Sequence, residues 1–85
     1  MMLKDELAAA RAAIDAVDRR IAVLLARRFR LTGPLRLLKK KPTDHARERA
    51  VLFHAAAAAG GRYGPAARAV FREIIRQSKR LQARR

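Results

Sequence analysis

The chain has 85 residues, no cysteine and two histidines, and its 21 lysines and arginines against 7 aspartates and glutamates give a net charge of +14. These totals fit one small domain over residues 1–85, exclude disulfides and thiolate metal sites, and leave too few histidines (His45 and His54) for a zinc centre, so no metal is expected. No apolar run is long enough to span a bilayer and the N-terminus lacks a secretory hydrophobic region, so a cytoplasmic chain is expected.

The first helical stretch is expected from about Leu3 to about Lys40. Alternating steps of four and three along it meet Leu3, Leu7, Ala10, Ile14, Val17, Ile21, Leu24, Arg28, Leu31, Leu35 and Leu38. Every position is apolar except Arg28, so the pattern is a heptad seam facing a partner helix with one charge inside it. A guanidinium there is costly unless an anion meets it. Gly33-Pro34 interrupts the stretch, because proline removes a backbone donor and crowds the carbonyl of Arg30. A kink or short break near residues 30–34 is expected, with the leucine period continuing beyond it.

Pro42 and Thr43 make a turn, and Asp44 suits the N-cap or first turn of a second helix. That helix carries Val51, Leu52 and the alanines 55–59, and Gly60-Gly61 stops it. Arg62, Tyr63 and Gly64 form a short connection, and Pro65 suits the first position of a third helix running to about Ala83. No segment alternates as a strand does. The fold class is therefore all-α, with three helices per chain. A chain this small buries little of its own surface, so association into a homodimer is the obvious source of stability. Phe29, Phe53 and Phe71 are assigned to the core, and both histidines to the surface.

Several polar residues continue apolar faces. On the third helix Phe71, Ile74, Ile75, Ser78 and Gln82 share one stripe; on the second, Asp44, Arg47, Glu48, Val51 and Ala55 do. Taken singly, these are helix ends meeting solvent and an exposed ion pair of little worth. On an uninterrupted first helix, Lys39 lies eleven residues after Arg28 and returns to nearly the same azimuth. Arg11 lies about 42 Å of helix from Lys39, too far to share a small ligand within one copy. An antiparallel partner in a twofold dimer would bring the partner's Arg11 alongside. Together Arg28, Lys39, Arg47, the partner's Arg11, Glu48, Ser78 and Gln82 suit a compact dianion carrying hydroxyl or ether oxygens. The set lacks a nucleophile with a base beside it, so an enzyme built on it works by positioning and electrostatics.

Four segments in order resemble the all-helical (type II) chorismate mutases: Leu7–Arg11 with Ile14-Asp15-Ala16-Val17-Asp18; Leu24-Leu25-Ala26-Arg27-Arg28 with Lys39; Asp44-His45-Ala46-Arg47-Glu48-Arg49; and Phe71–Ser78 with Gln82. The resemblance spans nearly the whole chain. It implies an intertwined homodimer and the cofactor-free rearrangement of chorismate to prephenate, a step of aromatic amino acid biosynthesis. It implies that Arg28 and the partner's Arg11 clamp the two carboxylates, with Ser78 helping to hold one. Lys39 and Gln82 would donate to the ether oxygen. Glu48 and the backbone near Asp44 would take the ring hydroxyl, and Arg47 would orient Glu48. The chain departs from the family in the Thr32-Gly33-Pro34 interruption and in its arginine surplus. The rival readings are a mutase of 4-amino-4-deoxychorismate, an isochorismate-pyruvate lyase, a basic nucleic-acid-binding protein and a coiled-coil adaptor. The single tyrosine and the absence of tryptophan leave little for base stacking.

Overall fold

Alanine, leucine and arginine dominate the first third of the chain, and all three are strong helix formers. In the computed structural model, which describes residues 2–38 and 43–83, they form α1, Met2–Thr32. Asp5 in its first turn and Arg30 in its last complement the helix dipole. The α-helix stops at Thr32, where Pro34 forbids the next regular bond, and Gly33–Leu37 continue as a 3-10 turn. The expected break is thus present, and it ends the α-helix well short of Lys40. Lys39, and with it the eleven-step alignment on Arg28, lies outside the described residues.

The second helix, α2 (His45–Ala59), opens on Asp44 in extended conformation, whose side chain accepts the Arg47 backbone N–H at 3.0 Å. Its C-cap is Gly60, at φ 75° and ψ 155°, a conformation open essentially to glycine alone. A 3-10 turn, Gly61–Tyr63, leads into α3, Gly64–Ala83, so that Pro65 is its second residue, not its first. Among the described residues no strand is present.

By internal contacts the chain divides into two units, one ending at Leu31 and one running from Thr32. The first is a single helix. In the second, α3 packs on α2 and on the 3-10 turn Gly33–Leu37. Gly64 lets the start of α3 approach α2 closely, since a Cβ there would lie 3.1 Å from the Ala56 carbonyl oxygen.

Among the described residues no apolar side chain is buried. Phe53 is 69% exposed, which corrects its assignment to the core, while Phe29 and Phe71 are half-buried. His45 and His54 are exposed, as the sequence reading has them. On α1, Leu3, Leu7, Ile14, Val17, Ile21, Leu24 and Leu31 are all exposed. The heptad seam therefore stands uncovered along one chain.

Candidate functional site

The second unit gathers most of the candidate residues that the structure describes. Ser78 and Gln82 lie one turn apart on α3, and they are the buried polar side chains of the described residues, at 5% and 8% exposure. They continue the stripe of Phe71, Ile74 and Ile75, which are half-buried. A stripe that merely ran out into solvent would leave them exposed. Instead α3 carries hydrogen-bonding groups into the packed side of the unit. Burying such groups is costly without partners, and no buried side-chain polar atom lacks one among the described residues.

Glu48 stands on the first turn of α2 and is half-buried. Its Oε2 lies 2.9 Å from Lys79 Nζ on α3, a salt bridge that crosses between the two helices next to Ser78. Lys79 is a residue that the sequence reading does not single out. Spacing along one helix could not find it, because the contact depends on how α2 and α3 face each other. The sequence reading gave the orientation of Glu48 to Arg47. Arg47 is exposed, and its backbone N–H donates to the Asp44 side chain at 3.0 Å. Asp44 is exposed, and its own carbonyl accepts the Glu48 N–H at 3.0 Å. Asp44 is thus committed to capping α2, which fixes the start of the helix that presents Glu48.

Arg11 and Arg28 belong to the first unit. Arg11 is exposed and Arg28 half-buried, the latter in the apolar seam as the heptad requires. Lys39 lies outside the described residues. The structure thus brings together Glu48, Ser78, Gln82 and Lys79 on one helix pair, and places Arg11 and Arg28 on a separate helix. A groove of about 520 Å³ along α1 is lined by Ala16, Arg19, Arg20, Val23 and Leu24, none of them a candidate site residue. One helix cannot enclose a ligand, so this strip is not read as the site. Among the described residues no cluster of histidine and carboxylate side chains could hold a metal ion. No described helix is long and apolar enough to cross a membrane.

The described residues are helical, with buried serine and glutamine on α3, a half-buried glutamate opening α2 and, in the first unit, an arginine in the α1 seam. Residues 10–83 match the family model described as chorismate mutase type II, and the chain belongs to that family of isomerases. No curated protein and no solved structure matches the chain.

Proposed function

We propose that the chain is a cytoplasmic chorismate mutase, with one catalytic domain over residues 1–85 acting as a homodimer. The match to the family over residues 10–83 carries this reading. The burial of Ser78 and Gln82 supports it, because an adaptor helix would have no use for two polar side chains inside its packed face. The exposed seam of α1 supports the dimer, since a largely apolar face of this length is unusual on a soluble monomer.

The reaction is unimolecular. The ether C–O bond breaks as a new C–C bond forms, and no proton, electron or co-reactant is exchanged. Two tasks remain for the protein. The enolpyruvyl side chain must be folded over the ring, which is a matter of positioning. Negative charge growing on the ether oxygen must also be met by fixed donors. Arg28 and the partner's Arg11 hold the two carboxylates apart in the folded geometry, and Ser78 hydrogen-bonds one of them. Lys39 and Gln82 donate to the ether oxygen. Glu48 and the backbone at Asp44 accept the ring hydroxyl, and Arg47 supports that end of the ligand. The test is loss of chorismate absorbance on adding the purified protein, with prephenate identified as product. Chorismate left intact, or split to pyruvate, overturns the reading.

A further inference from the structure

The Lys79–Glu48 ion pair has no part in the rearrangement just described, yet it touches a residue assigned to the ligand. Lys79 directly follows buried Ser78 on α3, and its Nζ is 2.9 Å from Glu48 Oε2 on α2. The two side chains are 38% and 25% exposed, so the pair lies at the edge of the packed face and not in open solvent. An ionised carboxylate offers about four acceptor positions, and one ammonium contact leaves room for another donor. The chemistry of that second donor is what Lys79 governs. Without Lys79, Glu48 would lose the cation in contact with it and would draw a cationic group more strongly. With Lys79 in contact, the pair is neutral overall and its free acceptor positions suit an uncharged hydroxyl. A protonated amine on the same acceptor would lie about 5 Å from the lysine ammonium, given ordinary hydrogen-bond lengths, and would be repelled by it.

We propose that Lys79 is a specificity-determining residue that selects substrates with a hydroxyl, and rejects those with a protonated amine, at the ring carbon held by Glu48. The inference rests on the assignment of Glu48 to the ring substituent in the chorismate mutase reading. It separates chorismate from its 4-amino-4-deoxy relative by charge alone, since the two substituents are close in size and both can donate to a carboxylate.

The experiment compares kcat/KM for chorismate and for 4-amino-4-deoxychorismate in the unaltered protein, Lys79→Gln and Lys79→Arg. The ratio of the two values cancels any difference in folded fraction between preparations. The unaltered protein is expected to favour chorismate. Lys79→Gln shifts the ratio at least tenfold toward the amine, and Lys79→Arg, which keeps the charge, holds the original ratio. An active protein whose ratio does not move in Lys79→Gln overturns the inference and leaves the mutase reading standing. So does a ratio that moves equally in Lys79→Arg. Turnover of the amine alone by the unaltered protein, or of neither substrate, overturns both.

Discussion

Arg28 is half-buried on α1 at a position where the heptad otherwise supplies an aliphatic side chain. Keeping a guanidinium there costs desolvation, and in the proposed function a substrate carboxylate meets it. Arg28→Ala and Lys39→Ala are each expected to lower kcat/KM by about 10² or more with helicity unchanged, a loss typical of removing a preorganised donor. Chorismate turnover measured beside far-UV circular dichroism checks this, and unchanged turnover in a folded variant would remove the role. A second residue-scale expectation concerns Glu73 on the exposed side of α3. Its carboxylate accepts from Gln77 Nε2 at 2.6 Å and from Arg76 Nη2 and Nε at 2.7–3.0 Å. The Gln77 hydrogen bond first, and then the Arg76 guanidinium, lower its pKa from the ordinary glutamate range. A depressed folded-state pKa favours the folded chain above the unfolded-state value, and that contribution is lost as pH falls through the folded one. Gln77→Ala should raise the Glu73 midpoint, read by carboxyl NMR titration. Stability itself should barely change, because the group is exposed to solvent.

At the scale of elements, the boundaries follow local chemistry. Asp44 caps α2, Gly60 ends it and Pro34 ends α1, each as its residue type dictates. Gly60 is the most exacting of these, since its φ of 75° with ψ of 155° lies where a side chain is strained. Gly60→Ala should therefore destabilise the protein by about 1–3 kcal/mol, seen as a lower midpoint in urea with an unchanged slope. A midpoint equal to the parent's would show that the turn between α2 and α3 re-forms without strain. The form of the α1 break was not readable from Gly33-Pro34 alone. Proline forbids the regular bond but does not choose between a kinked α-helix and a 3-10 turn. Packing of that turn against α3 accompanies the 3-10 form.

At the scale of the molecule, the single chain exposes a long seam that is apolar but for Arg28 and carries a net charge of +14. The twofold arrangement proposed above makes a sharp prediction, because each site would take Arg28 from one subunit and Arg11 from the other. Arg11→Ala and Arg28→Ala should each be nearly inactive alone. Unfolded together and refolded as an equal mixture, they should recover about a quarter of the parent activity, since half the dimers are mixed and each mixed dimer has one intact site. No recovery, with mixed dimers demonstrated by mass spectrometry, would show that both arginines serve a site within one subunit.

The sequence by itself determined the helices, their caps and stops, the seam with its arginine, and the polar pair on α3. Each of these is written in residues close along the chain, where propensity, capping and periodicity act. The tertiary structure alone decided that Ser78 and Gln82 are buried, that Phe53 is not, and that Lys79 pairs with Glu48. Those outcomes depend on which faces of α2, α3 and the 3-10 turn meet. Residues 31 positions apart, such as Glu48 and Lys79, share no local pattern that could announce the contact.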